Sequence, residues 1–204
     1  MKRRAVAATG NRGKLEEIRR LLAPLDIELV AQSELGIEPP EETGASFVEN
    51  ALLKARHAAA RARLPAIADD SGLAVDALQG RPGIHSARYA GPQATDAANT
   101  GKLLRELEGL SGNERSASFH CVAVCVASAE DSAPLVARGV WPGRILERPR
   151  GHGGFGYDPV FYDPAAGKAA AEMSAEEKDA ASHRGRAFRR LAELLAARGI
   201  GEGS

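Results

Sequence analysis

The sequence is poor in cysteine, in aromatic residues and in net charge. Its 204 residues include two cysteines, Cys121 and Cys125, and 4% aromatic side chains, while 27 basic residues balance 27 acidic ones. Two thiols fall short of the four ligands of a structural zinc site. They stand four apart in an apolar run that reads as a strand, about 13 Å along it. A disulfide needs Cα atoms within roughly 7 Å, so the two cannot pair. That leaves them as packing residues of a reducing compartment. Zero net charge and few aromatics argue against a nucleic-acid coat, an RNA-binding protein or a membrane-surface binder, though not against a small basic pocket. No apolar run nears the ~20 residues that span a bilayer. Ala5–Ala8, after the basic Met1-Lys2-Arg3-Arg4, is too short for the core of a secretory signal. A cytoplasmic location is the expectation.

Hydrophobic residues make up 44% of the chain, enough for one compact domain over residues 1–204 or for two closely joined lobes. Ala5–Ala8 reads as a buried strand, Arg12–Ala23 as a helix stopped by Pro24, and Ile27–Ala31 as a second strand. Gln32–Gly44 reads as a loop with four acids, Glu34, Glu38, Glu41 and Glu42. Ser46 with Glu49 fits a capping box for a helix to about Arg63. Pro65–Asp69 and Leu73–Leu78 read as strands on either side of Asp70-Ser71-Gly72. Gly80–Gly91 is a loop, and Thr95–Leu107 a helix capped by Thr95 or Asp96. Ser116–Ser128 and Leu135–Val140 read as paired strands, with a further short one at Ile145–Glu147. After the glycine-rich Gly151–Pro159, Ser174 and Glu177 open a last helical region, broken near Gly185 and ended by Gly199. Residues Gly199–Ser204 are expected to fray. Strands alternate with helices early and follow one another in the middle. The order predicts an α/β fold with a mixed sheet.

Five segments carry residues suited to chemistry. Thr9-Gly10-Asn11-Arg12-Gly13-Lys14 lies between a strand and a helix, where free backbone N–H groups and the helix dipole favour a phosphate. It is not a Walker A loop. Asp69-Asp70-Ser71-Gly72 sets adjacent acids between apolar runs, suited to holding a hard cation and to activating water. Neighbours on a strand face opposite ways, so one acid points into a site and the other supports it. The loop with Glu41 and Glu42 could complete a magnesium site. Gly151–Pro159 contains Phe155 and Tyr157, aromatics able to stack on a base. Lys178 and Ser182 share a helix face, followed by His183 and Arg184. Taken singly, each has a plain alternative: a βα turn with surface charges, a solvated turn, a solvated loop, a tight connection around a core aromatic, a charged helix surface.

Taken in order, the set resembles the inosine triphosphate pyrophosphatase family, also called XTP/dITP diphosphatases. The resemblance rests on Thr9–Lys14, Glu49-Asn50-Ala51 with Lys54-Ala55, Asp69–Leu73, Pro82–Gly91, Gly153–Pro159 and Ser182-His183-Arg184, which extend over nearly the whole chain. It implies an elongated mixed β-sheet flanked by helices, two lobes with a cleft between them, and a homodimer. It implies magnesium-dependent hydrolysis of ITP, dITP and XTP to the nucleoside monophosphate and pyrophosphate, which keeps these bases out of DNA and RNA. It further implies residue roles. Thr9, Gly10, Asn11, Arg12, Gly13 and Lys14 grip the triphosphate. Asp70 is the proton acceptor and a magnesium ligand, with Glu41 as a second ligand, and Ser71 contacts substrate. Phe155 stacks on the base, Gly156, Tyr157 and Asp158 line its pocket, and Lys178, His183 and Arg184 reach its edge.

The expected mechanism is attack of water, activated near Asp70, on the α-phosphorus. Hypoxanthine and xanthine offer an acceptor at O6 and a donor at N1, and adenine reverses both, which a hydrogen-bonding site discriminates strongly. Exclusion of guanine must involve its 2-amino group. Two rival readings are a pyrophosphatase for dTTP and UTP and a nucleotide-binding regulator without turnover. Paired acids beside a phosphate loop argue against the second.

Overall fold

The computed structural model describes residues 3–199. Seven strands, β1 (Arg3–Ala7), β2 (Ile27–Ala31), β3 (Ala66–Val75), β4 (Ser116–Val126), β5 (Leu135–Ile145), β6 (Phe161–Asp163) and β7 (Lys168–Ala169), form one sheet in the order β2-β1-β3-β4-β5-β6-β7. The sheet is mixed. β1 is parallel to β2 and β3, and β6 is antiparallel to β5 and β7. The helices are α1 (Arg12–Leu22), α2 (Phe47–Ala62), α3 (Asp96–Glu106), α4 (Ala175–Ala181) and α5 (His183–Ala197). None is long and apolar enough to cross a membrane.

The chain forms two compact units. The first holds the residues up to Asp70, Cys121–Gly139 and those from Arg184 on. Here strand alternation builds two cores. Ala5, Ile67, Cys121, Ala123 and Cys125 face Ile18 and Leu22 of α1 and Ala187, Phe188, Leu191 and Leu195 of α5. Val6, Ala66, Ala68, Val122, Val124 and Val126 face Ala51, Ala55, Ala58 and Ala59 of α2. The period-2 split of each strand thus meets the period-3.6 stripe of each helix. Both cysteines are free and buried, as their strand placement requires.

The second unit holds Ser71–His120 and Val140–His183. Its core is aromatic. Phe119 packs on Phe161 at 4.6 Å between ring centroids, and Trp141 on Phe161 at 4.8 Å. The Trp141 indole N–H donates to Asp163 at 2.9 Å, so the buried polar tip is satisfied.

Several boundaries differ from the sequence reading. The two strands expected on either side of Asp70-Ser71-Gly72 are one, because β3 runs unbroken from Ala66 to Val75. The residues look like turn punctuation, but both acids are buried with cationic partners, and that removes the reason to leave the sheet. β5 continues to Ile145 and absorbs the separate strand expected there. The very short β6 and β7 leave no periodic signal. The break in the last helical region falls at Ser182, the C-cap of α4, and Gly185 lies inside α5. Gly199 ends the region with φ +67°, a left-handed conformation that suits glycine. The rest of the expected frayed end lies outside the described residues.

Candidate active site

The phosphate-loop candidate follows β1. Ala8 N–H donates to the Ile67 carbonyl at 2.8 Å, which seats the loop against β3 two residues before Asp69. Asn11 is the N-cap of α1, and its side chain accepts from Lys14 N–H at 3.0 Å. Thr9 Oγ1 accepts from Asn11 N–H at 3.2 Å. A Cβ on Gly10 would meet nothing within 4 Å, so the backbone faces open space. Arg12 is exposed and Lys14 half-buried, with Lys14 Nζ 3.3 Å from Asp69. Cation and helix start are therefore presented together.

Asp69 and Asp70 follow the alternation of their strand. Asp69 turns to the α1/α5 face. Arg184 donates to its Oδ2 from Nε at 3.3 Å and from Nη2 at 3.0 Å, and pairs with Glu17 at 2.6 Å through Nη1. The Cys121 thiol donates to the same oxygen at 3.8 Å. Burial alone would raise the Asp69 carboxyl, but the charges of Lys14, Arg184 and Lys54 outweigh it and hold the group well below the usual carboxylate range.

Asp70 turns to the α2 face. Lys54, on α2, donates to its Oδ1 at 2.7 Å and to Glu42 Oε1 at 2.9 Å. Asp70 Oδ2 is buried and has no partner among the described residues. Burial pushes the Asp70 carboxyl above its ordinary value, opposed by Lys54 and Lys14 and reinforced by Glu42. Burial works against the Lys54 ammonium too, but Asp70, Asp69 and Glu42 together raise it, so it stays charged.

The acidic loop before α2 is tied down. Gly44 N–H donates to Asn50 Oδ1 at 2.8 Å, and Ala45 N–H to Glu49 Oε2 at 2.7 Å. A Cβ on Gly44 would stand 2.6 Å from Asn50 Oδ1, so this contact needs glycine. The second metal ligand expected from the sequence, Glu41, is exposed. Glu42 is instead the acid that Lys54 joins to Asp70. Lys54 itself escaped the site reading. Its signal was available, since a lysine among the alanines of a buried helix stripe needs an acidic partner.

In the second unit, Ser71 follows Asp70 on β3 and is half-buried. Phe155 is half-buried, with Lys178 Nζ 4.7 Å from its ring centroid. Asp158 is buried, and its Oδ2 accepts from Lys178 at 2.5 Å and from Phe155 N–H at 2.9 Å. One carboxylate thus fixes both the ring-bearing loop and the cation above the ring. A Cβ on Gly154, at φ +73°, would lie 2.0 Å from that oxygen, so the position needs glycine twice over. Tyr157 is buried, donating to the Ser86 carbonyl at 2.9 Å. His183 is stacked on Phe119, centroids 4.6 Å apart and planes 9° apart. Arg184 was expected with Lys178 and His183 at the base edge. Its guanidinium is committed to Asp69 and Glu17.

These features define a class: an α/β protein with a glycine-containing loop at a helix start beside buried acids, and an aromatic, cation-topped loop in its second unit. The particular family comes from comparison. Residues 5–194 match the Ham1 family, and the chain belongs to it. It is 59% identical over 192 residues to a dITP/XTP pyrophosphatase of Halorhodospira halophila, covering 94% of this chain and 96% of that one. It is 55% identical to the dITP/XTP pyrophosphatase of Escherichia coli K12, covering 94% and 98%. Among solved structures, a HAM1 protein from Coxiella burnetii superposes with a TM-score of 0.87 at 49% identity, over 96% of this chain and 99% of that one. The Ham1 protein of Staphylococcus aureus gives 0.83 at 39% identity, over 96% and 100%.

Proposed function

We propose that this chain hydrolyses non-canonical purine nucleoside triphosphates, ITP, dITP and XTP, to the monophosphate and pyrophosphate, and so cleanses the nucleotide pool. The observation that carries the chemistry is Asp70: a buried carboxylate with one oxygen held by Lys54, the other without a partner, beside the anion-binding start of α1. The names of the relatives supply the substrate class.

Magnesium fits the donor set. No group of three or more His, Cys, Asp or Glu side chains among the described residues could hold a metal, which disfavours an all-protein cage. A hard cation that keeps waters and takes phosphate oxygens needs only one or two carboxylates. Asp70 supplies an oxygen, Oδ2, without a hydrogen-bond partner among the described residues. The acidic loop supplies the second ligand, with Glu42 better placed than Glu41 because Lys54 joins it to Asp70. When bound there, magnesium neutralises charge on the phosphoryl oxygens.

The residues divide the remaining work. Asp70 accepts the proton of the attacking water, and its raised carboxyl suits a general base. Thr9–Lys14 bind the triphosphate through backbone N–H groups and the Arg12 and Lys14 cations. Lys54 keeps Asp70 and Glu42 together. Phe155 stacks on the purine, and Lys178 donates to O6, a contact that adenine, with its amino group, cannot accept. Ser71, Gly156, Tyr157 and His183 complete the substrate contacts, and Arg184 supports them by holding Asp69. The enzyme works as a cytoplasmic homodimer over a single functional domain.

The test is pyrophosphate release from ITP, XTP, GTP, ATP and UTP, with and without magnesium, for the wild type and Asp70→Asn. Metal-dependent turnover of ITP and XTP, lost in the variant, is expected. Turnover centred on UTP would overturn the base assignment, and no turnover at all would overturn the activity.

A further inference from the structure

Gly156 sits between the ring that stacks and the acid that holds Lys178, yet packing does not hold it. A Cβ there would meet nothing within 4 Å, and its φ of +61° lies in the left-handed region. The peptide groups on its two sides are each hydrogen-bonded to one helix. Gly156 N–H donates to Asp96 Oδ2 at 2.6 Å, and the Thr100 hydroxyl donates to the Gly156 carbonyl at 3.4 Å. Asp96 and Thr100 are one turn apart on α3 and so share a face.

Asp96 is not needed as a cap. Thr95 is the N-cap of α3, its hydroxyl accepting from Ala98 N–H at 3.2 Å. The helix is itself fixed to the 82–91 segment. Asn99 accepts from Ala90 N–H at 2.7 Å and donates to the Ala87 carbonyl at 3.1 Å, and Lys102 donates to the Tyr89 carbonyl at 2.8 Å. The same segment receives the Tyr157 hydroxyl at Ser86. The loop is therefore gripped at Gly156 from α3 and at Tyr157 from the segment that α3 holds.

We infer that Asp96, assisted by Thr100, is a positioning residue for base recognition: it clamps the Gly156 peptide and so sets the plane of Phe155. The inference rests on the assignment of Phe155–Asp158 to the purine. A charge-assisted bond to a backbone N–H is among the stronger ones. Its loss leaves the Gly156 N–H without its acceptor, at a residue where a Cβ would meet nothing within 4 Å. The cost falls on binding of the base and not on the chemistry at phosphorus.

The experiment measures KM and kcat for ITP, and inhibition by inorganic pyrophosphate, which has no base, in Asp96→Ala, Asp96→Asn, Thr100→Val and Phe155→Ala, each after a thermal melt. Asp96→Ala is expected to raise KM for ITP about tenfold, with kcat within about twofold and pyrophosphate inhibition unmoved. Asp96→Asn keeps an acceptor oxygen and is expected to recover most of the loss. If Asp96→Ala leaves KM unchanged while Phe155→Ala raises it, the clamp is refuted and the base assignment stands. If Phe155→Ala also leaves KM unchanged, the base assignment itself fails. Weakening of ITP and pyrophosphate alike refutes the clamp. Should Asp96→Ala not fold, Thr100→Val decides: a two- to threefold rise in KM for ITP alone supports the clamp, and no change overturns it.

Discussion

Asp69 and Asp70 are consecutive on one strand, and both are buried, but the two faces of the sheet give them opposite environments. On the α1/α5 face Asp69 meets a guanidinium through two nitrogens, a lysine at 3.3 Å and a thiol. On the α2 face Asp70 meets one lysine, which it shares with Glu42. Charge therefore holds the first carboxyl down, while burial pushes the second up. Identical side chains less than 4 Å apart along the backbone thus differ in how readily they take a proton, which suits the different tasks proposed for them. Asp69 is locked as a structural anion, and Asp70 is left able to take a proton.

The widest separation between them should appear in turnover. Asp70→Asn removes the proposed general base and the oxygen proposed for the cation, and is expected to lower kcat for ITP by about 10³-fold or more, with the melting temperature little changed. Asp69→Asn should do the reverse, losing stability first. Steady-state kinetics beside thermal melts of the two variants tests the comparison directly. If both lose activity equally at full stability, the division of labour is wrong.

Breaking the locked side should cost stability. Arg184→Ala takes the shared guanidinium from buried Glu17 and Asp69 and leaves Asp69 to Lys14, and removal of one partner from a buried ionic cluster costs about 3 kcal/mol or more. Chemical denaturation would show it as a lower midpoint. The same cluster predicts an acid limb of stability. Asp69 binds its proton far more weakly folded than unfolded, so its contribution is complete above its unfolded value near 3.8 and drains away as pH falls below that. In Asp69→Asn the slope of stability against pH below about 4 should flatten.

The sequence carried the alternation that separates the two acids, because the period of a strand is local information. It could not carry their partners. Arg184 lies 115 residues from Asp69, and its position beside His183 read as a pair of base-edge donors. Lys54 looked like part of a helix rather than part of a site, since nothing local says that the face of α2 packs on Asp70. The strand break expected at Asp70-Ser71-Gly72 failed for the same reason, as residues that break isolated strands stay extended once buried charge is paired. The caps at Ser46, Thr95 and Ser174 form as their residues predict, with the full box at Ser174 and Glu177 while Glu49 takes Ala45 N–H in place of Ser46 N–H, for caps depend on three or four neighbouring residues.

A smaller effect sharpens the active side. Lys54→Met removes the cation that opposes burial at Asp70. Its carboxyl should then rise further, and the acid limb of kcat/KM should shift to higher pH, with turnover at the plateau down about 10²-fold. A profile shifted to lower pH would contradict the assigned role, because losing a positive neighbour can only make the ionised acid harder to form.

The least effect separates the two loop glutamates. Glu42 reinforces the raised state of Asp70, so Glu42→Gln should move the acid limb slightly down in pH, opposite in sign to Lys54→Met. If Glu42 is the second ligand as proposed, the substitution should also raise the magnesium concentration for half-maximal turnover, by up to about tenfold. Glu41 is exposed, where solvent screens its charge, and Glu41→Gln should change either quantity by less than about twofold. Magnesium titrations of the two variants at one pH decide between them. A larger shift in Glu41→Gln would mean that the loop rearranges when the cation binds, and that the lysine bridge seen here joins the wrong acid for catalysis.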